Sequence, residues 1–326
     1  MNKGLTDISG LQVGHWTNKE GGTGCTAILC PPEGAVCGVD VRGGAPGTRE
    51  TDLLRPECSV EKVHAIMLAG GSAFGLAAAD GAMRWLEEHG RGYDVGVAKV
   101  PIVPAAILFD LPMITPKARP DAAAGYAACQ AASDAAVVNG TIGAGTGATV
   151  GKILGLRQAT KGGIGSASKH ITNGIVVSAL VALNAFGAVI DPKTGEIIAG
   201  PRKPIGKGFV DPVEAAQGFI GQTIARAREA WSERANTTLA VVATNVILTK
   251  AQATKVAQMA HDGLARTIRP IHTLFDGDVV FALSHGDKKA DVSLIGALAA
   301  DVLAEAVINA VQSATGLGGV PAMKEL

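Results

Sequence analysis

The sequence has little charge and no excess of either sign. Only 18% of its 326 residues are charged, and 29 Lys and Arg side chains balance 29 Asp and Glu side chains. A basic surface for nucleic acid or an acidic membrane is therefore not predicted. The length allows a sizeable core in one or two domains. The sequence is rich in Ala, Gly and Val and poor in charge, which suggests that much of its surface is buried between layers or subunits. We therefore expect an oligomer.

Signals for export, membrane insertion and metal binding are also absent from the sequence. Residues 1–7 lack the apolar segment of a signal peptide, and no run reaches the roughly 18 apolar residues of a membrane span. The five cysteines form no CxxC pair. We therefore expect reduced thiols in a cytoplasmic protein. The seven histidines form no H-x-x-x-H set, so no metal is predicted and most histidines are expected to be structural or exposed.

A Gly-rich segment at residues 143–148 matches the dinucleotide-binding pattern G-x-G-x-x-G/A. The pattern requires a helix to follow, because the helix N-terminus holds the phosphates. Residues 149–155 instead contain two glycines and three β-branched residues, which favour no helix. A Walker A loop also fails, because Thr146 and Ile153 replace its first Gly and its Ser/Thr. No cofactor is predicted, and a nucleotide-binding protein stays an alternative that a binding titration would test.

Ser72 lies in a strand–turn–helix pattern that resembles a nucleophile elbow. Residues 63–68 predict a buried strand, and an Ala-rich helix follows to about His89. The G-x-S-x-G pattern fails, however, because Phe74 stands where the second Gly belongs. We expect Ser72 to cap the helix, and keep it as the rival nucleophile.

Thr237 lies where a polar, helix-like segment meets an apolar, β-branched run. Residues 238–244 predict a strand that is buried on both faces. A cut of the peptide bond before Thr237 would leave a hydroxyl and a free α-amine on one residue, which pairs a nucleophile with a base. Taken alone, Asn236, Thr237 and Thr238 are better explained as polar turn residues that enter a strand.

Two further polar features adjoin predicted strands. Asn184 is the lone amide at the end of an apolar run, residues 175–183, and a buried amide needs hydrogen-bond partners. Asp276 and Asp278 directly precede a predicted strand at residues 279–283. Residues two apart on an extended chain face the same way, so these carboxylates could together hold an ammonium and orient a hydroxyl. The alternative is an ordinary Asp-Gly surface turn.

The spacing of apolar residues predicts the remaining architecture. Three short runs separated by Gly and Pro favour a meander of strands at residues 11–16, 25–30 and 35–42. Helical spacing predicts helices at residues 121–132, 213–231, 250–267 and 292–314, the third of them capped by Thr249. Residues 201–210 contain two prolines and are interpreted as a surface linker. The pattern predicts helices on the outside of two stacked sheets.

Several of these segments together resemble one family. Residues 40–48, 70–76, 236–238 and 275–278 are similar to motifs of the L-aminopeptidase/D-amidase-esterase family, which includes β-peptide aminopeptidases and nylon-oligomer hydrolases. The resemblance covers nearly the whole chain and does not specify the substrate. It implies an α/β (α+β) fold, the αββα four-layer sandwich of N-terminal-nucleophile hydrolases. It also implies a single domain, 1–326, that cuts itself between Asn236 and Thr237 into an α chain, 1–236, and a β chain, 237–326.

The resemblance assigns roles to individual residues. Thr237 matches the nucleophile, and Asp276 and Asp278 match residues that orient it or bind the substrate amine. Asn184 falls where the family places an oxyanion-stabilising amide. Lys152 matches a lysine near the nucleophile in the nylon-hydrolase branch.

Phe109 stands where several family members have a Tyr, in a possible substrate pocket. One hydroxyl proposed for substrate or oxyanion contact is therefore missing from this chain, which separates it from those members.

The implied activity is that of a self-processing amidohydrolase that releases N-terminal residues from peptides, amides or esters. The resemblance implies no cofactor and no metal, and a homo-oligomer with a tetramer favoured. Within the family, the alternative is hydrolysis of 6-aminohexanoate amides. From another class, the alternative is an uncleaved, non-catalytic oligomeric scaffold, which a denaturing gel would reveal as one intact chain.

Overall fold

The computed structural model describes residues 3–217 and 236–326. The strands are β1 Gln12–Asn18, β2 Thr23–Leu29, β3 Ala35–Val41, β4 Thr48–Arg49, β5 Lys62–Val63, β6 Ala65–Ala69, β7 Tyr93–Asp94, β8 Lys99–Val100, β9 Ala105–Ile107, β10 Thr149–Val150, β11 Thr160–Lys161, β12 Gly163–His170, β13 Val176–Asn184, β14 Ala188–Ile190, β15 Ile197–Ala199, β16 Thr237–Val246, β17 Ile268–Arg269 and β18 Val279–Lys288. The α-helices are α1 Ala78–Glu88, α2 Ala122–Gln130, α3 Pro212–Gln217, α4 Lys250–Thr267 and α5 Val292–Ser313.

Two main sheets form the centre of the molecule. One has six strands in the order β12-β13-β16-β18-β3-β5, and the other has five in the order β1-β2-β6-β9-β4. Strand β16 lies inside the larger sheet, antiparallel to β13 and parallel to β18. Its apolar, β-branched sequence suits this place, because both faces of the strand are covered. The larger sheet thus combines strands that precede Thr237 with strands that follow it.

Three clusters of apolar side chains separate four layers. Leu68 and Phe281 belong to the cluster between the two sheets. Leu264 and Leu303, on α4 and α5, pack against the outer face of the larger sheet. Leu86, on α1, belongs to the cluster that covers the smaller sheet. The predicted αββα sandwich is therefore confirmed.

Helix α5 is a core helix. Within the described residues, it is the one helix long and apolar enough to cross a membrane, but 67% of its most apolar window is buried in the fold. Val302, Leu303 and Val307 lie in the cluster beneath the larger sheet. The structure therefore gives no support for a membrane location.

Helix α4 begins where the sequence predicts. The Thr249 hydroxyl accepts the N–H of Gln252, and the Gln252 side chain accepts the N–H of Thr249, which completes a capping box. The predicted bounds of α4 and α5 are confirmed to within one residue. For the helix predicted at 213–231, α3 covers the start, and residues 218–231 lie outside the described residues.

Two local predictions are wrong. Strands β1 and β2 form a hairpin, but β3 joins the other sheet beside β18 instead of completing a meander. A side chain at Gly38 would collide with the backbone of Thr254 on α4, so glycine allows β3 to lie close beneath that helix. Ser72 does not cap α1 with its side chain. It is the first residue of a 3-10 helix, Ser72–Ala77, and its own backbone has a positive φ of 56°.

Candidate active site

Thr237 is the first residue of β16 and lies between two other chain segments. On one side it pairs with Asn184, the last residue of β13. On the other side, Asn236 forms a parallel bridge with Asp276 in the same register as the β16–β18 pairing, which places Gly277 beside Thr237. The Thr237 side chain is buried. The sheet register therefore brings three sequence-distant motifs to one point.

The peptide bond before Thr237 is held by hydrogen bonds on both sides of Asn236. The Thr237 hydroxyl donates to the Asn236 carbonyl oxygen, with Oγ1 and O 2.5 Å apart. The N–H of Gly277 donates to the same oxygen at 2.7 Å, and the N–H of Asn236 donates to the Phe275 carbonyl at 2.6 Å. A hydroxyl and a carbonyl already polarised by a backbone donor thus meet at one peptide bond.

The Asp278 carboxylate joins β16 to the turn before β18. Its Oδ1 accepts the N–H of Thr238 at 2.7 Å. Its Oδ2 accepts the N–H and the Nδ1–H of His272 at 3.2 and 2.8 Å. These three donors compensate the cost of burying the carboxylate, which is fully inaccessible to solvent.

The Asp276 carboxylate is equally well supplied with donors. Its Oδ1 accepts the N–H of Phe186 at 3.2 Å, and its Oδ2 accepts the N–H and the hydroxyl of Thr273 at 3.0 and 2.5 Å. Burial, and then the negative charge of nearby Asp278, raise the pKa of Asp276. Both carboxylates therefore flank Gly277 and bind protein donors.

Asn184 links β16, with which it pairs, to the two loops that contain Phe109 and Thr149. Its Oδ1 accepts the N–H of Thr149 at 3.0 Å, and its Nδ2 donates to the carbonyl of Phe109 at 3.1 Å. Lys152 Nζ donates to both the backbone oxygen and the Oδ1 of Asn184, at 2.8 and 2.9 Å. The predicted residues Asn184, Lys152 and Phe109 thus lie together, with Phe109 contributing its backbone carbonyl.

Lys152 brings a buried basic side chain to the site. Burial lowers its pKa to about 7, although the Asp276 and Asp278 carboxylates act in the opposite direction. Its side chain is therefore partly uncharged near neutral pH, a condition that suits a proton acceptor.

Three groups in the site carried no sequence signal of their own. The N–H of Gly277 contacts the Asn236 carbonyl, although Gly277 entered the sequence analysis only as the spacer between two Asp residues. His272 holds Asp278, and its ring packs edge-on against the ring of His261 with centroids 4.7 Å apart. His261 in turn lies 3.1 Å from the carbonyl of Asp40. A hydrogen-bonding role for His272 was detectable only through the fold.

The Gly-rich loop after β3 packs on the turn that carries the carboxylates. The N–H groups of Arg42 and Ala45 donate to the carbonyls of Asp278 and Asp276 at 3.0 and 2.8 Å. A side chain at Gly43 would collide with the backbone of the same turn. The loop thus supports the site through its backbone.

The Gly-rich segment at residues 143–148 does not have the structure of a nucleotide-binding loop. Residues 143–148 form a buried turn with a 3-10 helix, Gly143–Gly145, and β10 follows instead of a phosphate-binding helix. The Nζ of buried Lys161 donates to the carbonyls of Thr146 and Ala148 at 2.9 and 2.5 Å. The dinucleotide-binding context is therefore missing. Within residues 3–217 and 236–326, no cluster of three or more His, Cys, Asp or Glu is arranged to hold a metal ion.

Comparison with known proteins identifies the family. The model of Peptidase family S58 matches residues 3–324. The chain belongs to peptidase family S58. The resemblance to the L-aminopeptidase/D-amidase-esterase family is thereby confirmed. Membership of S58 makes the protein a peptidase or amidase.

Two relatives of this chain are named for different activities. An uncharacterized aminopeptidase of Mycobacterium tuberculosis is 43% identical over 344 residues, covering 99% of this chain and 97% of its own. A 6-aminohexanoate-oligomer endohydrolase of Kocuria sp. is 30% identical over 324 residues, covering 93% of this chain and 84% of its own.

Solved structures show the same S58 fold at low identity. The L-aminopeptidase D-Ala-esterase/amidase of Ochrobactrum anthropi, described as a variant of the Ntn hydrolase fold, aligns with a TM-score of 0.74 at 19% identity, covering 98% of this chain and 88% of its own. A Burkholderia sp. beta-aminopeptidase aligns with a TM-score of 0.71 at 20% identity, covering 98% and 90%.

Proposed function

We propose that this S58 protein cuts its own Asn236–Thr237 bond and then uses Thr237 as an N-terminal nucleophile of an aminopeptidase or amidase. The observation that carries the proposal is the contact between the Thr237 hydroxyl and the Asn236 carbonyl, 2.5 Å apart at the start of a buried strand. The products are an α chain, 1–236, and a β chain, 237–326. Their shared sheet keeps them in one domain.

Self-cleavage begins with attack of the Thr237 hydroxyl oxygen on the Asn236 carbonyl carbon. The oxygen–carbon bond forms, the hydroxyl proton leaves to a base, and negative charge develops on the carbonyl oxygen. The N–H of Gly277, 2.7 Å away, stabilises that charge. The carbon–nitrogen bond then breaks, the Thr237 nitrogen takes up a proton, and an ester joins Asn236 to Thr237. Water hydrolyses the ester to an Asn236 carboxylate and a free Thr237 hydroxyl.

Lys152 is our candidate for the base in self-cleavage, because the Thr237 nitrogen is still an amide at that stage. Its pKa of about 7 leaves a substantial uncharged fraction near neutrality. Its Nζ is held by Asn184, whose backbone lies opposite Thr237 in the sheet. The link from Lys152 through Asn184 to the strand that begins with Thr237 supports this choice.

In substrate turnover, the freed α-amine of Thr237 becomes the general base. Its reference pKa is about 7.7–8.0, so it is partly neutral at physiological pH. The hydroxyl is acylated by the substrate, and water releases the acyl group. Asn184 is proposed to donate to the oxyanion, and Asp276 and Asp278 to position the nucleophile through the hydrogen bonds described above.

The substrates proposed are peptides, amides or esters with a free amino end, as the name of the mycobacterial relative suggests. A second candidate is cleavage of 6-aminohexanoate amides, which the Kocuria relative's name and the matching Lys152 favour. We also propose a homo-oligomer, with a tetramer favoured, and a cytoplasmic location. All five cysteines are free thiols and four of them are buried, which fits a reducing compartment.

Intact-mass spectrometry of the purified protein tests the proposal. Two masses, matching residues 1–236 and 237–326, are expected, with N-terminal sequencing of the smaller fragment beginning Thr-Thr-Leu-Ala. Hydrolase activity from a single uncut chain would place the nucleophile elsewhere. An inactive single chain would favour the non-catalytic scaffold.

A further inference from the structure

We propose that the backbone edge formed by the Phe275 carbonyl and the Gly277 N–H is the subsite for the acyl half of the substrate. The edge recognises an acyl group that carries a hydrogen-bond donor on its α-carbon, such as an α-amino acyl group. The inference rests on the proposed function, and it specifies the substrate class of that same site.

Asn236 occupies this edge in the uncut chain as a substrate would. Its N–H donates to the Phe275 carbonyl at 2.6 Å, and its carbonyl accepts the Gly277 N–H at 2.7 Å. Self-cleavage and turnover both pass through an ester on the Thr237 hydroxyl oxygen. In the first the acyl group is Asn236, and in the second it is the first residue of the substrate. Since both esters are attached to one buried oxygen, we assign both acyl groups to one edge.

The carboxylates on either side are already engaged by protein donors. Asp276 accepts from Phe186 and Thr273, and Asp278 accepts from Thr238 and His272. Three of the roughly four acceptor positions of each carboxylate are therefore used by protein donors. The backbone of Phe275 and Gly277, by contrast, is already directed at the acyl group to be transferred.

Gly277 lets this edge approach the nucleophile closely. A Cβ atom at Gly277 would lie 2.8 Å from the Thr237 hydroxyl oxygen and 2.5 Å from the carbonyl oxygen of Ala45. Distances below about 3 Å to a backbone atom require the chain to shift. Glycine therefore allows the donor N–H to lie next to the reacting oxygen.

The positions of the Phe275 carbonyl and the Gly277 N–H determine which acyl groups can bind to both. An α-amine and the adjacent carbonyl oxygen repeat the arrangement of Asn236 and engage Phe275 and Gly277 at once. A 6-aminohexanoyl group carries its amine at the far end of a five-carbon chain, so it presents no donor to Phe275 when its carbonyl faces Gly277. The proposal therefore favours α-amino acyl amides over 6-aminohexanoyl amides.

The uncut chain offers a matched pair of variants. Asn236→Pro removes the N–H that donates to Phe275, whereas Asn236→Ala keeps it. We expect Asn236→Pro to self-cleave about tenfold or more slowly than Asn236→Ala, the loss expected from one hydrogen bond. Equal rates in the two variants would overturn the role of Phe275.

Processed wild-type protein tests the subsite without changing the fold. The probes are four p-nitroanilides: alanyl, lactyl, isobutyryl and 6-aminohexanoyl. The first three have nearly the same shape and carry an amine, a hydroxyl and a methyl group on the α-carbon. We expect kcat/KM to be highest for alanyl and lower for lactyl. The isobutyryl and 6-aminohexanoyl probes should fall at least about tenfold below alanyl, because neither has an α-donor.

The outcomes separate this inference from the proposed function. The subsite alone would be overturned if mass spectrometry shows acylation of Thr237 while the isobutyryl or 6-aminohexanoyl probe is hydrolysed as fast as the alanyl probe, or faster. Lactyl no better than isobutyryl would show that positive charge, rather than a donor, is recognised, and would also overturn it. An uncut chain, or hydrolysis without Thr237 acylation, would instead reject the proposed function.

Discussion

The ammonium nitrogen of Lys152 lies 2.8 Å from the backbone oxygen of Asn184, and Asn184 pairs with Thr237 across the sheet. Three residues from separate parts of the sequence are therefore linked through backbone and side-chain hydrogen bonds. This arrangement connects the protonation of one buried amine to the place where the chain is expected to cut itself.

Lys152 predicts how self-cleavage depends on pH. Burial lowers its pKa from 10.5 to about 7, so the neutral amine becomes the major form above pH 7. We expect the cleavage rate of refolded precursor to rise with pH through a midpoint near 7, followed on a denaturing gel. Lys152→Arg stays charged and should cleave slowly at every pH, whereas Lys193→Arg, at an exposed position, should behave like the wild type. A rate independent of pH from 5 to 9 would argue against Lys152 as the base.

Thr237→Ala should leave one intact chain without hydrolase activity, because it removes the hydroxyl that contacts the Asn236 carbonyl. Thr237→Ser keeps a hydroxyl and should still cleave. Intact mass distinguishes the two results, and urea unfolding of both variants shows that each is folded.

Ser72→Gly should retain both self-cleavage and turnover. Ser72 has a φ of 56°, which glycine adopts without strain, so the variant removes the rival hydroxyl and keeps the backbone. Loss of activity in a folded Ser72→Gly protein that still cuts itself would return Ser72 to consideration as the nucleophile in turnover.

Asn184→Ala should lower kcat by about a hundred- to a thousandfold if Asn184 donates to the oxyanion. The variant also leaves the Thr149 N–H and Lys152 with one acceptor fewer, so a stability loss of about 1–3 kcal/mol is expected. Active-site titration of the processed fraction separates slower turnover from incomplete self-cleavage. Unchanged kcat in fully processed protein would assign Asn184 a structural role only.

His272 should contribute to stability through Asp278. Its backbone N–H and its ring Nδ1–H reach the same carboxylate oxygen, and its φ of 56° is one that Asn tolerates and Val does not. We expect Asn at this position to retain most stability and Val to lose about 1–3 kcal/mol, measured by urea unfolding in a Thr237→Ala background. Equal stability of the two His272 variants would contradict this assignment.

Local spacing predicted those parts of the fold that local interactions determine. Strand β16 and helix α4 follow from an apolar run and from the Thr249 cap, both of which act within a few residues. The sheet to which β3 belongs did not follow, because its partner strand β18 lies more than 200 residues later in the chain. Sequence separation of that size is outside the reach of a periodicity argument.

The candidate site was predictable in its residues but not in their connections. The two-residue spacing of Asp276 and Asp278 indicated nearby carboxylates, and the family resemblance supplied Thr237 and Asn184. Four of the six donors to the carboxylates belong to His272 and Thr273, in a turn whose path no local pattern specifies. The other two are the backbone N–H groups of Thr238 and Phe186. The Gly277 N–H is a backbone group, so residue type alone does not reveal its role.

The order of strands in the larger sheet has a consequence for the life of the processed protein. Strands β16 and β18, which follow Thr237, lie between β13 and β3, which precede it. After a cut between Asn236 and Thr237, two strands of the β chain lie between strands of the α chain. Separating the two polypeptides therefore requires the β13–β16 and β18–β3 hydrogen-bond ladders to open together. Molecules processed from isotopically heavy and light precursors should accordingly keep their original fragments after mixing, so each activated molecule retains for its lifetime the two pieces of the chain that produced it.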